Sequence, residues 1–453
     1  MEGRADVLII GAGAAGLAAA RDIAAAGLRV VVVEARERVG GRIFTLREGE
    51  SETPVELGAE FIHGRPRETL DLVKSAGLTL RPVSGRHWHV RGGELTKSSE
   101  FWSRLEEINK RMERATGRDH SFEQFLETEA RDEPEEVKQI ARLYVEGFHA
   151  ARAERVGVQG LNRTNRAEEE IDGDEQSRIN EGYDRVARWL RESAQASGAE
   201  FLLNAVVEDV RWSRGRVELR GTTRQGMPDG GRSFKCEASR LVVTLPLGVL
   251  QAREGERGAV RFEPALTAKR EAAMRLAMGN VVRVVLRFRE PFWERLNLVA
   301  GGERADLSRL GFIHDPRARL PTWWTQSPLR APLLVGWAGG SRADALPTGG
   351  ADDLREQVLA SLRAIFRVPQ SLVEDSLAAS FMHDWRVDPF ARGAYSYVPV
   401  GGLEALERLA EPVEGTIFFA GEATNTEGHW GTVHGAISTG LRAAGEVVAA
   451  FKS

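Results

Sequence analysis

The chain has 453 residues, which is long enough for two domains with substantial cores. Its formal net charge of -4 gives no electrostatic reason to expect a nucleic-acid partner. The single cysteine, Cys236, excludes an internal disulfide framework and a cysteine zinc cluster, and it fits a reducing, cytoplasmic compartment. No apolar run reaches the length of about eighteen residues that a membrane span needs, so we expect no membrane anchor.

The first predicted elements are a buried strand at residues 7–10, a glycine-rich turn and a helix. The residues expected at the phosphates of a dinucleotide are Gly11, Gly13, Ala14, Ala15 and Gly16. Gly11 permits the tight turn, Gly13 lets a diphosphate approach the backbone, and Gly16 lets the helix pack on the strand. The positive end of the helix would face the phosphates. A signal peptide is the alternative, and the glycines inside the apolar run argue against it.

A second apolar strand, at residues 28–33, ends on Glu34. The carboxylate of Glu34 is placed to accept hydrogen bonds from a ribose diol, and it disfavours a 2′-phosphate. Further along, Gly40 and Gly41 allow close backbone approach, and Arg42 offers a planar, multiply donating charge to phosphate. An ordinary surface arginine is the alternative for Arg42.

The segment EARERVGGR at residues 34–42 resembles the FAD site of the flavin amine oxidases, the group of monoamine oxidases, polyamine oxidases and histone demethylase relatives. The resemblance implies FAD held by Ala35, Arg36 and the glycine pair with its arginine. It also implies an α/β fold, with a glutathione-reductase-like FAD-binding domain of Rossmann type and a second α+β substrate domain. We predict the FAD-binding domain at residues 1–82, 176–255 and 411–453, and the substrate-binding domain at residues 83–175 and 256–410.

The segment GAEFIHG at residues 58–64 is similar to the polyamine-oxidase branch of this group. The resemblance implies that Gly58 and Ala59 lie against the flavin and that His63 faces the substrate. Amino-acid oxidases of the superfamily usually carry an arginine shortly after the Gly-Ala pair. Glu60 and Phe61 stand here instead, which favours an amine substrate over an amino acid.

The middle of the chain alternates between helical and strand patterns. We predict a helix at residues 69–76, a charged helical region at residues 102–155 with Leu105, Ile108 and Met112 on one face, and a helix after residue 179. Strands are predicted at residues 200–212, 216–220, 233–236 and 241–244, with a glycine-rich hairpin at residues 221–231. By the resemblance, a valine of the first of these strands contacts adenine, and Val207 fits best, with Val206 as the alternative.

The largest departure from the family pattern is Arg283, in the segment MGNVVR at residues 278–283. The family carries a lysine there, which holds a water against flavin N5. Arginine stays charged and presents a wider donor group, so the exchange is not conservative. Drift toward arginine is one interpretation, because only seven of the 62 basic residues are lysines. Loss of efficient oxidase chemistry is the other, and Lys269 matches a different position and does not replace the missing lysine.

Two aromatic rings flank the amine in this family, and only one position is aromatic here. Tyr395 matches the first position, and Thr432, which has no ring, matches the second. Trp430 or His429 could fill the gap. Ala394 stands where the covalently flavinylated members carry cysteine, so we expect FAD to be noncovalent.

The C-terminal segment returns the chain to the FAD-binding domain through a strand at residues 415–422 and a final helix. The resemblance places Gly421 and Glu422 near the ribityl and diphosphate part of FAD. A helix that starts near Val433, after Thr432, would aim its positive end at the flavin.

The sequence thus predicts an FAD-dependent amine oxidoreductase. Hydride passes from the carbon beside the amine to flavin N5, the imine is hydrolysed to an aldehyde or ketone, and oxygen is reduced to hydrogen peroxide. The catalytic candidates are Phe61, His63, Arg283, Tyr395, Trp430 and Thr432. The alternatives are a flavin dehydrogenase or desaturase with another acceptor and a non-catalytic FAD-containing scaffold. The expected partners are a small-molecule amine and an electron acceptor, without nucleic acid or membrane, and monoamines and polyamines both remain open.

Overall fold

The structure is a computed structural model that describes residues 5–47, 53–92, 94–97, 99–115, 117–223, 231–348 and 351–452. A five-stranded parallel sheet forms its first layer. The strands lie in the order Glu200–Leu202, Val30–Val33, Val7–Ile10, Arg240–Val243 and Ile417–Phe419. The strands predicted around residues 7–10, 28–33 and 241–244 are confirmed, with the second beginning two residues later than predicted. Because all five strands run parallel, their carboxyl ends meet at one edge, where ligands bind in such folds.

Four helices cover this sheet: Ala14–Ala25, Arg67–Ser75, Asp184–Ala196 and Val433–Lys452. The first helix is rich in alanine, which lets the last helix approach closely. At Gly440, a Cβ atom would lie 2.3 Å from the carbonyl oxygen of Ala15. The helix predicted after the glycine-rich turn, the helix predicted at residues 69–76 and the helix predicted after residue 179 are confirmed, and the last of them begins at Asp184.

A four-stranded sheet follows, in the order Arg232–Ala238, Arg216–Thr223, Ala205–Ser213 and Arg261–Glu263. The prediction of one strand over residues 200–212 is wrong, because the chain turns at Asn204, whose φ is 55°. Residues 200–202 join the parallel sheet and residues 205–213 join this one. The strand Arg261–Glu263 pairs here with Ala205–Ser213, although the predicted domain boundary near residue 256 would separate the two.

The predicted hairpin at residues 221–231 begins later than expected. Gly221 lies inside the strand Arg216–Thr223, where a Cβ atom would be 1.9 Å from the carbonyl oxygen of Val206. This glycine therefore serves close strand pairing, since a side chain does not fit. Residues 224–230, where the turn itself was predicted, lie outside the described residues.

A seven-stranded mixed sheet forms the second core. Its order is Leu377–Met382, Val281–Phe288, Leu333–Gly339, Thr322–Trp324, Leu310–His314, Arg86–Arg91 and Glu94–Lys97. The strand Val281–Phe288 pairs on both sides and is almost entirely buried. Its long valine-rich run suits a strand covered on both faces.

A helical cluster stands beside the mixed sheet and has its own core. It comprises the helices Ser99–Glu113, Phe122–Thr128, Glu135–His149 and Val158–Glu169. Leu105, Ile108 and Met112 are 4%, 0% and 2% exposed and face this core together. The predicted helical region is thus confirmed as three consecutive helices, followed by a fourth.

Short elements complete the fold. The paired short strands are Thr45–Leu46 with Val55–Glu56, Ile62–His63 and Leu80–Pro82 with Gln176–Ile179, Ala277–Gly279 with Tyr395–Tyr397, and Val299–Ala300 with Glu303–Arg304. The remaining α-helices are Leu247–Leu250, Thr267–Met274, Gly340–Asp344, Ala351–Phe366, Gln370–Ser376 and Leu403–Ala410, with 3-10 turns at Phe292–Arg295 and Glu422–Thr424. Among the described helices, none has both the length and the apolar character of a membrane span.

Candidate active site

A cavity of about 1300 Å³ runs from the carboxyl edge of the parallel sheet to the mixed sheet. Every site residue predicted from the sequence lines it, with the exception of Gly16. A Cβ atom at Gly16 would lie 2.0 Å from the carbonyl oxygen of Gly11, so Gly16 packs the helix against the turn instead. The structure therefore brings together residues from both ends of the chain in one space.

The glycines at one end of the cavity form a backbone cradle. Gly11 has a φ of 101°, and the Gly40 amide donates to the carbonyl oxygen of Ala12 at 2.8 Å. Gly41 packs on Gly13, where a Cβ of Gly41 would approach the Gly13 Cα to 3.3 Å. A Cβ at Gly13 itself would meet no atom within 4 Å. The free side of Gly13 therefore faces open space in the cavity, which is what the motif requires for a diphosphate to approach the backbone.

Glu34 stands at the end of the second strand and is 4% exposed. One carboxylate oxygen accepts from the Ala12 amide at 2.7 Å, and the other accepts from the Arg36 amide at 2.9 Å. A carboxylate has about four acceptor positions, so two backbone bonds leave capacity for ribose hydroxyls. Its geometry fits the predicted contact with a ribose.

A charged network next to Glu34 was not predicted from the sequence. The guanidinium of Arg36 donates to Asp388 at 2.8 Å, and the Nε2 of His383 lies 2.7 Å from the other oxygen of Asp388. Burial alone would raise the pKa of Asp388, but His383 and Arg36 hold it well below its usual range. The segment around residues 383–390 has no motif spacing that could have indicated this contact.

Glu422 joins three segments of the cavity wall and is 4% exposed. It accepts hydrogen bonds from the guanidinium of Arg42 at 2.8 Å, the hydroxyl of Ser396 at 2.5 Å and the amide of Gly431 at 2.8 Å. Arg42 also donates to the carbonyl oxygen of Ala394 at 2.7 Å. Both residues face the cavity, and they also hold its walls together.

Thr432, the position without a ring, caps the last helix. Its hydroxyl accepts from the Gly435 amide at 2.9 Å and donates to the carbonyl oxygen of His429 at 2.7 Å. Serine and threonine are preferred at this position because they satisfy a free amide of the first turn. The helix begins at Val433, so its positive end lies at the cavity.

A buried triad of Glu60, Arg178 and Arg283 lies at the other end of the cavity. Arg178 Nε lies 2.5 Å from one oxygen of Glu60, and the guanidinium of Arg283 pairs with the other. Burial alone would raise the pKa of Glu60, but the two arginines lower it to about 2. Sequence analysis identified Glu60 and Arg283 as site residues but did not identify their ion pair or Arg178.

Lys269 does not take the place of the missing lysine. It is 8% exposed and donates to the backbone carbonyls of Arg408, Leu409 and Glu411, at the end of the helix Leu403–Ala410. It is absent from the cavity lining. The prediction that Lys269 has a different role agrees with this position.

Aromatic side chains form the wall next to the triad. Phe61 lies 5.7 Å from Trp324 and 6.3 Å from Phe312, measured between ring centroids. His63 lies 5.4 Å from Phe148. Three of these residues come from the mixed sheet and the helical cluster, and isolated aromatics in those segments gave no signal that they would meet.

Tyr395 and Trp430 both line the cavity. Among the ring contacts of the described residues, none joins these two side chains. The Tyr395 hydroxyl donates to the carbonyl oxygen of Phe148 at 2.8 Å. Trp430 is 7% exposed and packs in an apolar cluster with Leu247 and Leu406. A second ring opposite Tyr395 thus stays a prediction.

His63 is a neutral hydrogen-bonding group in this wall. Burial lowers its pKa to about 4, and its Nδ1 has no hydrogen-bond partner among the described residues. Such a group can donate to or accept from a substrate without adding charge.

Acidic side chains line the part of the cavity formed by the helical cluster. They are Glu106, Glu113, Glu168, Glu169, Asp172, Asp174 and Glu175. Burial and the neighbouring Asp174 raise the pKa of Glu168 to about 7. Sequence analysis left monoamines and polyamines open, because a charged helical region predicts a solvated helix face when the packing of that helix is unknown.

Comparisons with known proteins identify the family of this chain. The profile of the family described as flavin containing amine oxidoreductase matches residues 14–448. "Probable polyamine oxidase 4" of Arabidopsis thaliana is 28% identical over 96% of this chain and 86% of its own length. "Lysine-specific histone demethylase 2" of Homo sapiens is 28% identical over 98% of this chain, which spans only 53% of that protein. A putrescine oxidase bound to putrescine superposes with a TM-score of 0.78 at 22% identity, over 98% of this chain and 99% of the other.

The chain belongs to the flavin containing amine oxidoreductase family. The predictions of an α/β amine-oxidase fold, an enzyme, an FAD cofactor and FAD-dependent amine oxidation are confirmed. The scaffold alternative is thereby set aside.

Proposed function

We propose that the chain is an FAD-dependent amine oxidase that uses oxygen as its electron acceptor. The observation that carries this proposal is one cavity that joins the nucleotide cradle to an aromatic, water-excluding wall. FAD supplies an acceptor for a hydride from the carbon beside the amine, after which water hydrolyses the imine to an aldehyde or ketone. Oxygen then takes up two electrons and two protons and leaves as hydrogen peroxide.

The residues of the aromatic wall hold a neutral amine in a dry environment. Phe61, Phe312 and Trp324 exclude water from the reacting carbon. Their rings also limit the positions that the amine can take, which orients the carbon toward the flavin. The neutral imidazole of His63 offers a hydrogen bond to the amine nitrogen without protonating it. Tyr395 forms a further side of the pocket, held by its bond to Phe148.

FAD is held noncovalently in this proposal. Ala394 has no thiol, so it cannot form a bond to the flavin, and its carbonyl holds Arg42. Residues 1–82, 176–255 and 411–453 bind FAD in the proposed domain division, with Val207 at the adenine. Proposed partners are the amine and oxygen, and a cytoplasmic site of action rests on the single Cys236.

We further propose that the substrate carries a second positive charge. The acidic residues of the helical cluster share the cavity with the flavin end, and Glu168 is the one whose carboxyl is most affected by burial. A distal ammonium would satisfy these carboxylates. The similarity to a polyamine oxidase and to a putrescine-bound oxidase supports this class.

An anaerobic titration of the FAD-loaded protein with a panel of monoamines, diamines and polyamines tests the proposal. We expect bleaching of the flavin absorbance, strongest with diamines or polyamines, and rapid recovery in air with one peroxide per amine. Recovery only with a quinone or dye would replace the oxidase by the dehydrogenase alternative, which the exchange to Arg283 favours. No bleaching by any amine would contradict the proposal.

A further inference from the structure

The carboxylate of Glu60 receives hydrogen bonds from Arg178, Arg283, Trp324 and Gln326. Its side chain is 1% exposed. The donors come from three strands or loops that are far apart in the sequence. A buried carboxylate with these donors is ionised and fixed in one orientation.

The two arginines of the buried triad differ in how their guanidinium groups are used. Arg178 uses all three nitrogens, with Nε on Glu60 and both Nη atoms on backbone carbonyls at 3.1 Å. Arg283 uses Nη2 on Glu60 and Nη1 on the carbonyl of Gly58 at 3.3 Å. Its Nε is buried and has no partner among the described residues. Arg178 is a structural cation, whereas Arg283 keeps a donor.

Arg283 is tied to the backbone that continues from the cofactor cradle. The segment that contains Gly58 packs against the loop of Arg42, where the Ala59 amide donates to the Arg42 carbonyl at 3.2 Å. At Gly58, a Cβ atom would lie 1.8 Å from the same carbonyl, so the two segments are in direct contact. Arg283 therefore lies at the end of the cavity that a bound flavin reaches, and it lines that cavity, whereas Arg178 does not.

The charges of the triad do not cancel. Within the triad, two guanidinium groups share one carboxylate, so the triad carries one positive charge in excess at a buried position. The buried carboxyl of Glu56 also interacts with Arg283, but burial raises its pKa to about 7, so near neutral pH it offsets only part of this charge. Arginine does not lose its proton in proteins, which makes this charge permanent. A permanent buried charge acts strongly on a redox group nearby, because little water screens it.

We propose that Glu60 is a positioning residue that holds Arg283 at the flavin end of the cavity and offsets one of the two buried positive charges, and so sets the reduction potential of bound FAD. The inference rests on the FAD site of the proposed function and not on amine turnover. Reduced flavin carries more negative charge than oxidised flavin. A nearby positive charge therefore raises the reduction potential, and Glu60 limits that rise.

A measurement of the reduction potential of the FAD-loaded protein tests this proposal. The flavin is photoreduced in the presence of reference dyes, and no amine is added. Arg283→Gln removes the excess charge and leaves Arg178 and Glu60 as a matched pair. We expect the equilibrium constant for reduction to fall at least tenfold, which is about 30 mV for a two-electron couple. Glu60→Gln leaves two uncompensated cations, and we expect a rise of similar size. Asp384→Asn is the control, because it removes the carboxylate of another, partly buried arginine pair, 2.7 Å from Arg386 and outside the cavity lining, and we expect no shift.

The double variant keeps the test decisive if Glu60→Gln fails to load FAD. Glu60→Gln with Arg283→Gln leaves one positive charge, as in the native triad. We therefore expect its equilibrium constant for reduction to lie within threefold of the native value, which is a shift in potential of about 14 mV or less. A potential of Arg283→Gln equal to that of the native protein would overturn the proposal. So would a double variant equal to Arg283→Gln, because Glu60 would then have no effect on the flavin. If the potentials shift as expected but the native protein oxidises no amine, the result would contradict the proposed function and leave this inference standing.

Discussion

Glu168 is the cavity residue whose charge changes near neutral pH. Its pKa is raised to about 7, so its carboxylate is ionised above that pH and protonated below it. A diamine should bind more weakly as the pH falls below 7, while a monoamine of the same length loses no such contact. We expect the ratio of KM values, diamine to monoamine, to rise about tenfold from pH 8 to pH 6, equal to roughly 1.4 kcal/mol. The pH dependence that comes from protonation of the reacting amine is common to both substrates, so it cancels in this ratio.

Two variants on the same helix check the assignment. Glu168→Gln should raise the diamine KM at pH 8 and flatten the pH dependence of the ratio. Glu169→Gln, an exposed neighbour that also lines the cavity, should have a smaller effect. Equal effects of the two substitutions would show that the summed negative charge of the acidic residues, and not Glu168 itself, favours a substrate with a second positive charge.

Glu422 supports the site through structure as well as charge. Glu422→Gln removes the negative charge that Arg42 faces at 2.8 Å and disturbs the bonds to Ser396 and Gly431. We expect a loss of about 2 kcal/mol in the free energy of unfolding, because Arg42 keeps partial access to water. FAD affinity should fall with it, since three walls of the cavity meet at this carboxylate.

Urea unfolding of the FAD-free protein and quenching of flavin fluorescence on binding measure the two effects. Glu446→Gln is the control, because it removes a carboxylate from a helix-surface pair with Arg442 at 2.9 Å. Such a pair contributes about 0.5 kcal/mol or less. A similar loss in both variants would contradict a special role for Glu422.

At the scale of elements, local patterns predicted the nucleotide half of the fold well. The strand, turn and helix that begin at Val7 follow from apolar runs and glycine spacing, which are local properties. The break at Asn204 was missed, because residues 200–212 alternate well enough for one strand and asparagine only tolerates the left-handed backbone. The order of the seven-stranded sheet was not predicted, since strands such as Arg86–Arg91 and Leu310–His314 pair across long sequence separations.

The contact between the first and last helices gives a prediction about an element. Gly440→Ala would place a Cβ atom 2.3 Å from the carbonyl oxygen of Ala15. One helix must move away, so we expect a loss of about 1–3 kcal/mol in the free energy of unfolding. Gly445→Ala on the same helix meets no atom within 4 Å. It should gain stability by up to about 1 kcal/mol, because alanine favours a helix over glycine.

Urea unfolding of the two alanine variants measures this difference directly. Both substitutions have the same effect on helix propensity, so the difference between them isolates packing against Ala15. A stabilised Gly440→Ala variant would show that the helices do not approach as closely as the glycine allows.

At the scale of the whole molecule, the site is built by long-range contacts that no single motif contains. The family resemblance identified Glu60 and Arg283 separately, yet their ion pair joins positions more than two hundred residues apart. Arg178 was missed for the same reason, because it lies on a four-residue strand whose pairing on both sides, with Ile62–His63 and Leu80–Pro82, has no local sequence signal. Local sequence predicted which residues reach the cavity, and the packing of the two sheets decides which of them meet.

The buried carboxyl groups together predict how stability depends on pH. The pKa of Glu60 is lowered to about 2 and that of Asp388 lies well below its usual range, so both favour the folded state above their unfolded values near 4. Their contribution is lost as the pH falls through this range. The pKa of Glu56 is raised by burial to about 7, as is that of Glu168, so the folded state binds these protons more tightly than the unfolded state. Their contribution is present below pH 4.5 and is lost as the pH rises from 4.5 to 7.

For these four groups, the free energy of unfolding should therefore be greatest near pH 4 to 5 and should fall on both sides, with each raised carboxyl worth up to about 3 kcal/mol between pH 4.5 and 7. Urea unfolding of the FAD-free protein from pH 3 to pH 8 measures the profile. Glu56→Gln removes a group that accepts bonds from Thr45 and Tyr183, and it should flatten the decline between pH 4.5 and 7 while leaving the acid side unchanged. Glu60→Gln should do the reverse, because its carboxyl titrates only in acid. An acid side that survives Glu60→Gln unchanged would mean that Asp388 and other carboxylates, and not the triad, carry the acid sensitivity of the fold.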